Sequence, residues 1–306
     1  MSYWVVILLK RRMNKFLKNI FYLLPIIFLV SSCEKEISVS LSDAKQQFIV
    51  EASINQRFQS LNYVFISKSI DYFNPDLSMG GIKGASVFIT EGKIIGADTL
   101  YTGTPFQMID IGTFPGADSL FKGFSGIYFS TTLIGKENTP YQLKIILADG
   151  TKISGTTFIP KVVPIDSLSY VVKNEDVNKD GFNDAYPTLY FNDPSEQNNY
   201  RLARYNNVDS LMLGWGSADS YRTFDDQMIN GTQRVIFYPN QFKQGDTVNF
   251  YLNSIGRKEY IFWQSFGTAA NNGGPFATPV QLKSNITGAI GSFTGYGCSY
   301  KRIIMK

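Results

Sequence analysis

Short apolar runs, each followed by turn-forming residues, are the sequence feature that most restricts the fold of this chain. The runs are rich in Val, Ile, Phe, Tyr and Thr, and Gly, Asn, Asp or Pro separates them at intervals of roughly 8–12 residues, as in β-strands. The clearest candidates in the first half are Gln47–Ile54, Tyr63–Lys68, Ala85–Thr90, Gly126–Thr131, Tyr141–Leu147 and Lys152–Phe158. Asp149-Gly150 between the last two favours a hairpin. We therefore predict a two-sheet β-sandwich over residues 47–160.

A domain boundary is predicted at Pro160–Pro164, because two prolines around a short stretch favour extended backbone. The strand candidates that follow are Leu168–Val172, Thr188–Phe191, Tyr200–Tyr205, Arg234–Tyr238, Thr247–Leu252, Tyr260–Phe266 and Gly288–Phe293. Residues 161–306 are thus predicted to form a second β-rich domain of a mainly β protein. Gly256–Phe266 has an alternative interpretation as a short helix, with Tyr260 and Trp263 on its apolar face and Trp263 in the core.

The N-terminal segment has the three zones of a secretory signal peptide. Five basic residues come first, an apolar run of 11 residues over Ile20–Val30 follows, and small residues then precede Cys33. Because a membrane-spanning helix needs roughly 20 apolar residues, the run favours a cleaved signal over residues 1–32 rather than a permanent span. Val30-Ser31-Ser32-Cys33 resembles the lipobox of bacterial lipoproteins, so we predict that Cys33 carries the lipid, palmitate included, and that residues 33–46 are a tether to the membrane.

Removal of the signal changes the charge and the cysteine count. The whole chain carries 29 Lys+Arg and 25 Asp+Glu, but the five basic residues of the signal leave 24 against 25 over residues 33–306. Residues 33–306 contain no basic cluster, so we predict no nucleic-acid partner. With Cys33 acylated, Cys298 is the remaining thiol, so we predict no internal disulfide.

The chain contains no histidine, which excludes Ser-His-Asp and Cys-His catalytic devices and histidine-ligated metal sites. A carboxylate-based glycan-active enzyme needs two suitably spaced acids, and with 25 Asp+Glu the sequence selects no pair. We therefore predict no catalytic residues and a non-enzymatic protein, with the glycan-active enzyme as an alternative.

One acidic segment has the spacing of a calcium loop. Asp176, Asn178, Asp180, Phe182 and Asp184 occupy positions 1, 3, 5, 7 and 9 of such a loop, with a glycine at position 6. The bidentate glutamate of a complete EF-hand is missing, so any calcium bound here is predicted to stabilise rather than to catalyse. The alternative is a polar hairpin tip without metal.

Trp215 lies between two glycines, which predicts a loop position. An exposed indole there is a candidate platform for stacking on a sugar ring or a partner. The alternative is an isolated exposed aromatic side chain, which is common on soluble proteins.

Several landmarks, taken in order, resemble a family of Bacteroidota outer-membrane lipoproteins known as domain of unknown function 4249. The resemblance covers nearly the whole mature chain and is carried by Glu34-Lys35-Glu36-Ile37, Phe48-Ile49-Val50-Glu51, Gly84-Ala85-Ser86-Val87, Pro140-Tyr141-Gln142-Leu143, Pro164-Ile165-Asp166-Ser167-Leu168, Phe191-Asn192-Asp193-Pro194 with Tyr200-Arg201, and Ser284-Asn285-Ile286-Thr287-Gly288. It implies an immunoglobulin-like β-sandwich followed by a second β-rich domain, attachment to the outer membrane and association with TonB-dependent receptors. It brings no catalytic residues.

The leading hypothesis is an outer-membrane lipoprotein that binds a ligand or helps to assemble a TonB-dependent transporter. Glu34-Lys35-Glu36 directly after the lipid resembles the export signal for the outer face of the membrane, so a cell-surface position is expected. Besides the glycan-active enzyme, the alternative is a purely structural or adhesive surface protein.

Overall fold

The computed structural model describes residues 46–69, 81–113, 125–177, 179–206, 220–228, 230–238, 242–272, 278 and 280–306. They belong to one compact unit that runs over residues 45–306. Its strands are β1 Phe48–Asn55, β2 Tyr63–Lys68, β3 Ser86–Glu91, β4 Lys93–Ile95, β5 Asp98–Leu100, β6 Phe106–Asp110, β7 Ile127–Phe129, β8 Thr139–Ile146, β9 Lys152–Ile159, β10 Ser167–Lys173, β11 Asp184–Asn192, β12 Asn199–Asn206, β13 Ser220–Asp225, β14 Gln233–Phe237, β15 Phe242–Lys243, β16 Thr247–Ile255, β17 Ile286–Thr287 and β18 Ile290–Ile304. The α-helix of the described part, α1, spans Arg257–Asn271. The prediction of a mainly β protein is confirmed.

Alternating burial explains why the strand candidates fold as strands. In β9 the exposed Lys152 is followed by alternate buried positions that begin at Ile153 and end at Ile159. A period of two places one face of each strand on the core. The turn between β8 and β9 forms where Asp149-Gly150 predicts it, with Gly150 at φ 84°.

A 12-stranded sheet contains most of the strands, in the order β13-β12-β16-β18-β1-β2-β7-β6-β3-β8-β9-β17. The sheet curls, because strands far apart in this order share one core. Val50 of β1, Val64 of β2, Leu143 of β8 and Ile153 of β9 belong to the same buried cluster. Two parts of one sheet therefore face each other as the two layers of a sandwich do.

The second core lies between the strands of the C-terminal half. A smaller sheet has the order β10-β11-β14, with β15 also paired to β11. Its Leu189 and Phe191 form a buried cluster with Leu202 of β12 and Phe250 of β16. The large sheet thus crosses the boundary predicted after residue 160, and a separate domain over residues 161–306 stays a prediction.

β18 connects the two cores. It pairs in parallel with β1 from Ile290 to Tyr296 and antiparallel with β16 from Gly297 to Ile304. Gly291 has φ 148°, and a Cβ atom there would lie 1.7 Å from the carbonyl oxygen of Val50. Only glycine fits at this approach of β18 to β1.

Helix α1 corrects one strand prediction, since Tyr260–Phe266 lies inside a 15-residue helix. The helical alternative for this segment is confirmed. Phe262 and Trp263 are buried against the sheet, and the Trp263 ring nitrogen donates to Thr294 at 3.1 Å. No helix among the described residues is long and apolar enough to cross a membrane.

Candidate functional site

The predicted calcium loop forms the turn that leads into β11. The carboxylate of Asp176 accepts hydrogen bonds from the backbone N–H groups of Asp180 and Gly181, each at 2.9 Å. Asp184 is buried at the start of β11 and accepts from the N–H of Val177 at 3.0 Å. These carboxylates cap backbone donors of the turn, as expected for a polar hairpin tip without metal.

The other side chains of this loop point to the same conclusion. Asp180 accepts from the N–H of Phe182 at 3.1 Å, and its other oxygen lies 3.7 Å from Lys243 Nζ. Within the described ranges, no group of three or more acidic or thiol side chains is placed to hold a metal ion. Calcium at this loop stays a prediction. Asn178, Cys33 and Trp215 lie outside the described residues.

A groove opens between β13 and β14, with a volume of about 340 Å³. β13 pairs with β12 and β14 pairs with β11, so each strand lies at an edge of its sheet. The groove is lined by Arg222, Phe224, Gln233, Arg234, Val235 and Ile236. The volume lies in the range of ligand sites, and unpaired strand edges accept extended peptides.

The groove is positively charged. Among the described residues no carboxylate lies within ion-pair distance of Arg222, and Arg234 Nη2 donates to the backbone carbonyl of Asp225 at 3.4 Å. Burial raises the pKa of Tyr238 to about 12, while the charges of Arg204 and Arg222 act on it in the opposite direction. The guanidinium of Arg222, which has no acidic partner among the described residues, favours an anionic ligand.

Two buried aspartates lie close to each other next to this groove. Asp193 directly follows β11 and is 6% exposed, whereas Asp226 directly follows β13 and is 0% exposed. They are near enough for Asp193 to raise the pKa of Asp226. Glycosidases keep their two acids roughly 5 Å or more apart, with the substrate between them, whereas this buried pair leaves no open cleft for a substrate.

Neutral donors bind three of the four carboxyl oxygens of this pair, both of Asp193 and one of Asp226. Asp193 accepts from the Tyr200 hydroxyl and from the N–H of Gly231 at 3.2 Å, and Asp226 Oδ2 accepts from the N–H of Asn198 at 2.7 Å. Burial, together with the neighbouring Asp193, raises the pKa of Asp226. Burial and the bond to Asp193 likewise raise the pKa of the Tyr200 hydroxyl.

A different buried carboxylate, Glu259, lies in the first turn of α1 and is 4% exposed. Its Oε1 accepts from the Thr157 hydroxyl at 2.8 Å and from the Asn285 amide at 3.1 Å. The same Thr157 oxygen accepts from the N–H of Gly295 at 2.8 Å. Burial raises the pKa of Glu259, and the two side-chain hydrogen bonds partly oppose this shift. The network joins α1 to β9 and β18.

The sheet face beneath α1 also carries a buried cation. The guanidinium carbon of Arg201 lies 3.5 Å from the ring centroid of Trp263 and 4.0 Å from that of Tyr221. Nη1 donates to the Tyr296 hydroxyl at 2.6 Å. Cation–π contacts of this kind stabilise a desolvated guanidinium, so Arg201 holds α1 against β12 and β13.

Sequence reasoning did not find the groove or the acidic pair. Asp193 and Arg201 are quoted above only as family landmarks, and Asp226 is one acid among many. The available signal was weak, because Asp193 follows the strand candidate Thr188–Phe191 by two residues and the strand before Asp226 was not predicted. The proximity of the two acids depends on the pairing of β11 with β14 and of β12 with β13.

Comparisons with known proteins give a family and distantly similar solved structures. The family described as "Domain of unknown function (DUF4249)" matches residues 34–302. A crystal structure of a DUF3823 family protein from Bacteroides uniformis covers 85% of this chain and 100% of its own, with 9% sequence identity and a TM-score of 0.25. No curated protein matches the chain.

Proposed function

We propose that this chain, which belongs to the DUF4249 family, is a lipid-anchored outer-membrane protein that binds an acidic segment of a TonB-dependent transporter without catalysis. The family description names no activity, so the proposal rests on the residues of this chain. In it, Cys33 carries the lipid, the acidic tether places the protein on the cell surface, and the groove between β13 and β14 makes the contact.

The single observation that carries the binding role is the groove itself. Each of the two strands that border it has an edge with no partner strand among the described residues, and Arg222 and Arg234 line it. An extended segment satisfies the backbone groups of an edge strand, and its carboxylates pair with guanidinium groups. Phe224 and Val235 supply apolar contact on the walls. An acidic, extended peptide therefore matches the groove in shape and in charge.

The binding role is tested by copurification from detergent-solubilised outer membranes. The tagged, lipidated chain is expected to bring down an integral transporter, and the double charge reversal Arg222→Glu with Arg234→Glu is expected to reduce the recovery at least tenfold. Arg302→Glu, on an exposed position of β18, is the matched control and should leave the recovery unchanged. Repeated recovery of no integral partner, or full recovery with the double variant, would refute the role.

The anchor has a separate test. Cells that express the chain are labelled with radioactive palmitate and then treated with protease. The wild type is expected to carry label and to be cleaved on intact cells, whereas Cys33→Ser should carry no label and leave the membrane fraction. A labelled Cys33→Ser variant would refute acylation at this residue, and a protected wild type would refute surface exposure.

A further inference from the structure

A second groove, the α1 groove, runs along the C-terminal half of the helix. Its volume is about 670 Å³, within the range of roughly 300–1,000 Å³ that is usual for small-molecule sites. The helix contributes Gln264, Gly267, Thr268 and Asn271, and the segment after it contributes Asn272 and Thr278. The four helical residues have the spacing i, i+3, i+4 and i+7, so they share one face of α1. This face is the polar wall of the groove.

The lining of the α1 groove is uncharged. Amide and hydroxyl side chains supply its polar groups, and residues 260–282 contain no Asp, Glu, Lys or Arg. A charged ligand would lose hydration here without gaining an opposite charge. The α1 groove therefore suits a neutral polar ligand, in contrast to the arginine-lined groove between β13 and β14.

Three amide side chains are held so that their oxygen atoms stay available as acceptors. Gln264 Nε2 donates to a backbone carbonyl of β13 at 2.9 Å, and Asn271 Nδ2 donates to the carbonyl one turn earlier in α1 at 2.8 Å. Asn272 Nδ2 donates to the carbonyl of Thr278. A carbonyl only accepts, so each amide nitrogen must face it, and the side-chain oxygen takes the other position. Because these bonds fix the amides beforehand, a ligand rich in O–H donors binds with little loss of side-chain entropy.

Gly267 is a residue that packing within the protein does not explain. Glycine in a helix interior lowers the stability relative to alanine. A Cβ atom at this position would meet no heavy atom within 4 Å among the described residues. Gly291 is the opposite case, since a Cβ atom there would collide with the carbonyl of Val50. Gly267 instead leaves the wall of the α1 groove open to the close approach of another molecule.

We propose that the α1 groove binds a neutral saccharide. Sugar hydroxyls donate to the amide oxygens of Gln264, Asn271 and Asn272, and the C–H face of a sugar ring packs on the backbone at Gly267. The many hydroxyl donors of a saccharide match the three acceptors, and its lack of charge matches the lining.

The α1 groove and the groove between β13 and β14 lie on opposite faces of β13. Helix α1 packs on the face that carries Tyr221, because Arg201 contacts the rings of both Tyr221 and Trp263. Arg222 is the next residue of the strand and points to the opposite face, where it lines the other groove. The two sites are therefore independent, and the double variant Arg222→Glu with Arg234→Glu should bind a saccharide as the wild type does.

Calorimetric titration of the full-length, detergent-purified chain tests the site with five neutral probes, maltotetraose, cellotetraose, chitotetraose, mannotetraose and xylotetraose. At least one of them is expected to bind with a Kd of about 1 mM or below. Tetragalacturonate is the acidic probe and should bind about tenfold more weakly or worse, because the lining offers it no cation. Absence of binding for all five neutral probes at about 10 mM, or tighter binding of the acidic one, would overturn the proposal.

Gly267→Ala separates binding from folding. The variant is expected to raise the Tm of the unliganded protein by about 2 °C, because alanine is the better helix former, yet to weaken binding of the neutral probe about tenfold. Asn271→Ala removes one acceptor and should weaken binding about fivefold. Gln281→Ala changes an exposed amide that does not line the groove, so this matched control should leave the Kd unchanged. Unchanged affinity in both groove variants would place the sugar elsewhere and overturn the proposal.

Discussion

Glu259 and the Asp193–Asp226 pair are both buried acidic sites beside β13 and α1, but their partners differ. The Oε1 oxygen of Glu259 accepts from two neutral side chains, Thr157 and Asn285, which belong to separate parts of the fold. Asp226 instead has one oxygen without a hydrogen-bond donor, and the neighbouring Asp193 carboxyl acts on its pKa. Burial raises the pKa at both sites, so the shift alone does not distinguish them.

The difference shows how a buried carboxyl group can be interpreted. A carboxyl that accepts hydrogen bonds from neutral donors on several elements links those elements. Its removal lowers the free energy of unfolding. A buried carboxyl that has an acidic neighbour and an oxygen without a donor lowers the stability of the folded protein. Substitutions at the two sites are therefore expected to change the stability in opposite directions.

Glu259→Ala is expected to have the largest effect, a loss of about 3 kcal/mol in the free energy of unfolding. The substitution leaves the Thr157 hydroxyl and the Asn285 amide without an acceptor and opens a cavity below α1. Urea unfolding followed by circular dichroism measures the change. Glu259→Gln preserves the acceptor and should change the stability by less than about 1 kcal/mol. If the alanine variant lost less than about 1 kcal/mol in the free energy of unfolding, Glu259 would not link these elements.

Asp226→Asn is expected to raise the free energy of unfolding by about 1 kcal/mol. The amide removes a buried acidic group and offers a donor to Asp193. The same urea experiment measures the change. A loss of stability similar to that of Glu259→Ala would show that the two acidic sites are alike.

The pH dependence separates the charge of Glu259 from its hydrogen bonds. Because the pKa in the folded state is raised, the folded protein binds this proton more tightly than the unfolded chain does. The stabilisation is complete below the ordinary pKa of a glutamate and is lost as the pH rises through the raised value. Glu259→Gln should lack this component, so the wild-type advantage over the variant is expected to fall with rising pH. Parallel curves for the two proteins would argue against a raised pKa.

Asp225→Asn is expected to have the smallest effect, about 0.5 kcal/mol or less. Its partner Arg257 is half exposed, with a side-chain accessibility of 50%, so solvent screens the pair. The free energy of unfolding of the variant, measured with urea, should be nearly the same at low and at high salt. A loss above about 1.5 kcal/mol in the free energy of unfolding would mean that this ion pair contributes as much to the stability as the buried acids do.

Local features were predictable from the sequence. The hairpin at Asp149-Gly150 depends on two neighbouring residues, and most strand candidates needed only alternation and turn residues. The helical alternative at Gly256–Phe266 was visible for the same reason, although the helix continues to Asn271.

Long-range pairings were not predictable in this way. Nothing in the run around Ile49 specifies Ile290 as its parallel partner, and the pairing determines the curl of the sheet. The same holds for Asp193 and Asp226, since each follows a strand of ordinary pattern and they meet only after four strands have paired. The calcium pattern at Asp176 was conspicuous because it is local, and its carboxylate caps the backbone of the turn.

The position of β18 has a consequence for the order in which the chain folds. β1 is synthesised early, yet its parallel neighbour β18 is synthesised only after every other described strand. Pairings between distant segments form slowly, and an unpaired strand edge is prone to aggregation in the meantime. The first core therefore cannot close before β18 has been synthesised, and the open edge of β1 must be kept from aggregating until then.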